Sequence, residues 1–104
     1  MNSFKDREDA FEKRFARDEE LQFKVQARGC KLVGLWAAEL MGKSGSDADD
    51  YAREVVISDL EEVGQEDVYR KLAGDLGEIA NESEIRQKME ECFAAARDQI
   101  INEI

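Results

Sequence analysis

The chain of 104 residues contains no histidine and no proline, and only two cysteines. Without histidine there is no Ser-His or Cys-His nucleophile, no imidazole proton shuttle and no imidazole metal ligand. Without proline nothing in the sequence forces a helix to break. Cys30 and Cys92 are too few for a disulfide framework or a zinc site. No apolar run approaches the roughly 18–20 residues of a membrane span. The opening Met1-Asn2-Ser3-Phe4-Lys5-Asp6 lacks the apolar core of a secretion signal, so the expectation is an intracellular protein.

Charge is abundant and strongly biased: 25 acidic against 15 basic side chains give a net charge of −10. That balance disfavours DNA, RNA and anionic lipid surfaces as partners. With 38% charged and 42% apolar residues, the composition suits a soluble helical protein rather than an acidic disordered tail. The length fits a single domain, residues 1–104. The bias is local. Residues 1–42 carry eight basic and eight acidic side chains, whereas residues 43–104 carry seven and seventeen. Phe4, Phe11, Phe15 and Phe23 also crowd into the first part.

Apolar spacing reads as helix throughout, and no useful stretch alternates with period two. The expected helices are about 21–41, 47–63, 66–77 and 83–102, preceded by a mobile or helical arm over residues 1–19. Residues 21–41 are apolar on much of their circumference, which predicts a central position in a bundle. Gly42-Lys43-Ser44-Gly45-Ser46 is the clearest interruption, and Ser46 is a candidate N-cap for the helix after it. Gly64 and Gly77 are candidate helix stops. Asn81-Glu82-Ser83-Glu84 has the form of a capping box opening the last helix, whose stripe is Ile85, Met89, Cys92, Phe93, Ala96 and Ile100.

The arm has a narrow apolar seam. At about 100° per residue, Phe11 and Phe15 each lie within about 20° of Phe4 around a helix axis. Charged residues occupy the other faces, and Asp9–Lys13 and Glu20–Lys24 are acid-first i,i+4 pairs. A helix of about 27 Å built this way is only marginally stable alone. It either lies along its own bundle, which composition favours, or inserts into a partner's groove.

Other motifs reduce to structure. Cys30, Cys92 and Trp36 sit at apolar helix positions and read as core. Asp59, Glu61, Glu62, Glu66 and Asp67 are an acidic cluster without EF-hand spacing, best read as a solvated face. The Gly42–Ser46 loop lacks the P-loop pattern and its preceding strand. Asn81-Glu82-Ser83 matches a glycosylation sequon but reads as a helix cap.

Several runs together resemble the zeta subunit of alphaproteobacterial ATP synthase. They are Phe4-x-Asp6-Arg7-Glu8-x-Ala10, Lys13-x-Phe15-Ala16-x-Asp18, Phe23-Lys24-x-x-Ala27-Arg28 and Lys31-Leu32-x-Gly34-Leu35-Trp36-Ala37-Ala38-x-Leu40-x-Gly42-Lys43. The likeness continues through Tyr51-Ala52-x-Glu54-Val55 and Asp59-x-Glu61-Glu62-x-Gly64-x-Glu66-Asp67-Val68, and weakens after about residue 80. The Gly34–Ala38 run is its most specific part.

The resemblance implies an all-α, small four-helix bundle with an N-terminal inhibitory arm. It implies a non-enzymatic regulator that blocks ATP hydrolysis by the F1 sector, its arm entering a catalytic α/β interface beside the γ rotor. The implied partners are the alpha, beta and gamma subunits of F1-ATPase. The implied setting is the cytoplasm, peripheral to the inner membrane, with the free protein a monomer. Phe4, Phe11 and Phe15 would be the apolar anchors, and Arg7, Lys13, Arg14 and Arg17 the ionic partners. No cofactor is required, although weak ATP or ADP binding to the bundle is associated with the family. A module that senses adenine nucleotide with little inhibition is the alternative. The absence of histidine excludes the pH switch of the mitochondrial inhibitor. Gly29-Cys30 departs from the more polar pair expected before Lys31; a mid-helix glycine lowers helix stability by up to about 1 kcal/mol relative to Ala and is expected to loosen the joint to the bundle.

Overall fold

A computed structural model describes Ala10, Lys13, residues 18–59 and residues 64–103. Among the described residues the chain forms four helices and no strand: α1 (Glu19–Leu40), α2 (Gly45–Ser58), α3 (Glu66–Leu76) and α4 (Glu82–Glu103). This is a small all-α bundle.

Each boundary has a local cause. Asp18 is extended, with φ −114° and ψ 101°. Its carboxylate accepts the backbone N–H groups of Glu20 (3.0 Å) and Leu21 (3.3 Å), which would otherwise lack a partner in the first turn. Glu19 and Glu20 add negative charge where the helix dipole favours it. The helix therefore begins immediately after Asp18. At the other end of α1, Lys43 N–H donates to Ala38 O (2.9 Å) and Gly42 N–H to Glu39 O (3.0 Å). Gly42 takes φ +80°, the left-handed conformation this ending needs.

The second helix departs from the expected 47–63 at both ends. It starts at Gly45 behind Ser44, so Ser46 lies inside the first turn rather than capping it. It ends at Ser58, whose hydroxyl donates back to Val55 O at 2.7 Å and competes with the helical ladder. Residues 60–63, the end of the expected span, lie outside the described residues. The last helix starts where the capping box places it. Glu84 N–H donates to Asn81 Oδ1 (2.9 Å) and Asn81 N–H to Glu84 Oε1 (3.1 Å).

α1 occupies the centre and packs against α2, α3 and α4. Cys30, Val33, Ala37, Val55, Val68, Leu72 and Ile85 are fully buried in one core. Burying each large apolar side chain contributes about 1.5–3 kcal/mol. A second, smaller core joins Leu21 and Val25 of α1 to Ala96, Ile100 and Ile101 of α4, so these two helices run antiparallel. Two glycines let the neighbours approach. A Cβ at Gly34 would stand 2.8 Å from Ala52 Cα, and one at Gly29 would overlap the Phe93 ring. Gly29 is thus buried beneath an aromatic ring and serves close packing, which corrects the expectation that it loosens the joint to the bundle. Central placement also does not bury all of α1: Phe23 is 58% exposed and Leu40 is 43% exposed.

Candidate partner-binding surface

The N-terminal positions singled out above are Phe4, Arg7, Phe11, Lys13, Arg14, Phe15 and Arg17. Of these only Lys13 falls among the described residues, where it is helical and exposed. The other six lie outside them.

The bundle supplies a fixed base where that segment joins it. The Asp18 cap is followed within one turn by Leu21, which enters the smaller core. Arg28 reinforces this end. Its guanidinium donates to Gln99 Oε1 (2.8 Å) and lies 3.0 Å from Glu103 Oε1, tying α1 to the last turn of α4.

Above this base, α1 turns a mixed face outward. Phe23, Lys24, Ala27, Arg28 and Lys31 line a furrow of about 450 Å³ with Val56 of α2 and with Ile100 and Glu103 of α4. Lys31 and Val56 also line an adjoining cavity of about 420 Å³, completed by Asp49, Ala52 and Arg53. Phe23 and Ala27 are four apart, as are Lys24 and Arg28, so each pair stacks on one side of a helix.

Around the rest of the bundle the polar groups hold helices together. Tyr51 Oη donates to Asp75 Oδ2 (2.8 Å), and Lys71 Nζ reaches the same oxygen (3.0 Å) while lying 5.2 Å from the Tyr51 ring centroid. Burial alone would raise the Asp75 carboxyl, but the hydrogen bonds from Lys71 and Tyr51 outweigh it and hold the group below its ordinary range. Burial and the bond to Asp75 push Tyr51 up, so its hydroxyl stays a donor. Arg86 donates to both Glu66 oxygens (3.0 and 3.3 Å) and to Glu82 (3.2 Å), and stacks 3.9 Å from the Tyr69 ring centroid. These contacts clamp α3 to α4 and pull the Glu66 carboxyl down.

The acidic cluster expected at residues 59–67 separates into individual roles. Glu66 is the Arg86 partner. Asp59 accepts Gln26 Nε2 at 3.0 Å from across the α1–α2 contact. Asp67 is 5% exposed and accepts the N–H of Val68 at 2.8 Å. Burial raises the Asp59 carboxyl, and the neighbouring Asp67 charge adds to the rise against the Gln26 bond. Glu61 and Glu62 lie outside the described residues. Among the described residues no cluster of three or more His, Cys, Asp or Glu side chains is placed to hold a metal ion. Both cysteines are buried free thiols. Burial and the charges of Asp59 and Asp67 push Cys30 up to about 12, which keeps it neutral and unreactive. Among the described residues no helix is long and apolar enough to cross a membrane.

Comparison with known proteins gives the surface its context. A family model described as ATPase inhibitor subunit zeta matches residues 1–99. A protein solved in solution by NMR is 51% identical, with a TM-score of 0.75, and the match covers 81% of this chain and 99% of that one. None of the curated proteins compared with the chain matches it.

Proposed function

This chain belongs to the ATPase inhibitor subunit zeta family, and on that premise we propose that it restrains ATP hydrolysis by the F1 sector of ATP synthase. The family match carries the reading, because it spans the N-terminal segment and the bundle together. In this reading the segment before Asp18 inserts at a catalytic α/β interface beside the γ rotor. Phe4, Phe11 and Phe15 bury against apolar walls there, and Arg7, Lys13, Arg14 and Arg17 pair with acidic positions at its rim. Aromatic anchors offset the ordering entropy of an inserted segment, and charges at the rim set its register. The protein acts without catalysis of its own, at the cytoplasmic face where F1 stands off the membrane.

The test is hydrolysis by the cognate F1 in the presence of the full chain and of a chain lacking residues 1–17. The shortened chain keeps Asp18 and every α1 contact described above. Inhibition by the full chain and none by the shortened one, with equal helix content, is the expected result. Equal inhibition by both removes the segment from the mechanism.

A second reading is carried by the cavity between α1 and α2. Lys31 and Arg53 flank the apolar Ala52 and Val56 there, a pairing that suits the phosphates and base of ATP or ADP. Backbone amide shifts at these four positions on addition of millimolar nucleotide support it. No shift at that concentration removes it.

A further inference from the structure

Asp18 ends α1 with a side-chain cap rather than with a chain breaker. Before Gly29 the chain contains neither glycine nor proline, so no residue there forbids a helix. The break consists of an extended backbone at Asp18, φ −114° and ψ 101°, and of a carboxylate that holds the N–H groups of Glu20 and Leu21. One bond of a longer helix already crosses this point: Gln22 N–H donates to Asp18 O at 3.2 Å. Ala10 and Lys13, on the far side, are helical. The apolar pattern also keeps its phase through the break. Eighteen residues make five whole turns of helix. In one continuous helix Phe11 therefore stands in line with Gly29, and Phe15 with Val33. Both Gly29 and Val33 belong to the buried stripe of α1. A permanently bent joint has no use for that alignment.

We propose that Asp18 is a two-state hinge. In the free protein it caps α1 and sets the N-terminal segment off from the bundle. When that segment engages its partner the cap opens, and residues 4–40 run as one helix. The proposal rests on the F1 reading above and adds the conformation in which the segment is held. The exchange of hydrogen bonds is even. Glu20 and Leu21 N–H leave the Asp18 carboxylate for the carbonyls of Ala16 and Arg17, four residues back, and the Gln22 bond is kept. The released carboxylate comes within reach of Arg14, one turn away. Because α1 supplies a formed turn, extension avoids the cost of nucleating a new helix. Opposing it are the cap, worth about fivefold in equilibrium constant, and the entropy of ordering the segment. Burial of Phe4, Phe11 and Phe15 in the partner supplies the difference. The bundle and the inserted segment then move as one body.

Two substitutions in the full chain bias the hinge in opposite directions. Glu19→Pro suits the capped form, because the first helical position accepts proline and Asp18 already has the extended backbone that a following proline requires. In the continuous form that proline clashes with the carbonyl of Phe15. Asp18→Ala removes the cap and favours the continuous form. Inhibition of cognate F1 is expected to need at least tenfold more of Glu19→Pro and about fivefold less of Asp18→Ala than of wild type. Thermal melting of Glu19→Pro at the wild-type temperature shows that its bundle is intact. Spin labels on Ala10→Cys and Glu39→Cys, both exposed, read the hinge directly while the native thiols stay buried. In one helix these positions are about 44 Å apart. That distance is expected as a single peak on addition of F1, absent from the free protein and from Glu19→Pro with F1. Inhibition by Glu19→Pro at the wild-type level, or the same distances with and without F1, overturns the hinge and leaves the F1 reading standing. Weaker inhibition by Asp18→Ala makes the cap a structural part of the inhibitor and also overturns the hinge. No inhibition by wild type removes the F1 reading and the proposal with it.

Discussion

Gly29→Ala sets two effects of opposite sign against each other in the contact between α1 and α4. Gly29 sits in the interior of α1 and is buried. Helix propensity alone favours Ala there by about 1 kcal/mol. The new Cβ, however, falls on Cδ1, Cε1 and Cγ of Phe93. Cγ lies on the χ2 axis, so spinning the ring does not clear it. Either χ1 of Phe93 must leave its rotamer or the helices must move apart, at a cost of about 1–3 kcal/mol. The steric term wins, and Gly29→Ala is expected to destabilise the protein by up to about 2 kcal/mol. Phe93→Ala alone leaves a gap beside a partly buried site and costs less than the roughly 3–5 kcal/mol of a fully buried Phe. In that background the obstacle is gone, and Gly29→Ala is expected to stabilise by about 1 kcal/mol. The change of sign between the two backgrounds is the signature, and urea unfolding followed by far-ultraviolet ellipticity reads it as a double-mutant cycle. An equal gain in both backgrounds would refute close packing as the reason for glycine.

Three further outcomes follow from other contacts. Asn81→Ala removes one half of the reciprocal cap on α4 and is expected to cost about 0.5–2 kcal/mol in the same unfolding assay. The Asp59 carboxyl is raised in the folded state, so folding favours its protonated form and stability rises as pH falls through the folded value. Asp59→Asn keeps an acceptor for Gln26 and is expected to be as stable as wild type or more so at neutral pH, with that acid-side rise removed from its melting profile. Cys30, fully buried and neutral at physiological pH, is expected to react with a thiol reagent only as fast as the bundle opens. Rapid modification under native conditions would contradict its placement.

The parts of the fold that were legible in sequence are those whose causes are local. The α4 start needs only Asn81 and Glu84, three positions apart, and their types announce it. The end of α2 depends on the Ser58 hydroxyl and on Asp59 meeting Gln26 from another helix, so apolar spacing alone runs past it. Gly29 reads as a weak point along the chain because its reason, the Phe93 ring, arrives from α4. Phe23 was grouped with the apolar residues of α1, and only the positions of α2 and α4 reveal that its side faces out. For the candidate site, periodicity placed Phe4, Phe11 and Phe15 on one line, and the role of that line came from the family. The furrow beside Phe23 joins residues of α1, α2 and α4, a meeting that no spacing along the chain announces.

The smaller core has a mechanical consequence. Leu21 and Val25 grip Ala96, Ile100 and Ile101, and Arg28 holds Gln99 and Glu103, so the first turns of α1 and the last turns of α4 form one stiff joint. A force applied to the chain ahead of Asp18 is borne by shear along that joint rather than by peeling one turn at a time. If γ rotation tugs on an inserted N-terminal segment, the load passes into the C-terminal turns of α4, and the strength of the tether is set at the opposite end of the sequence from the segment that is pulled.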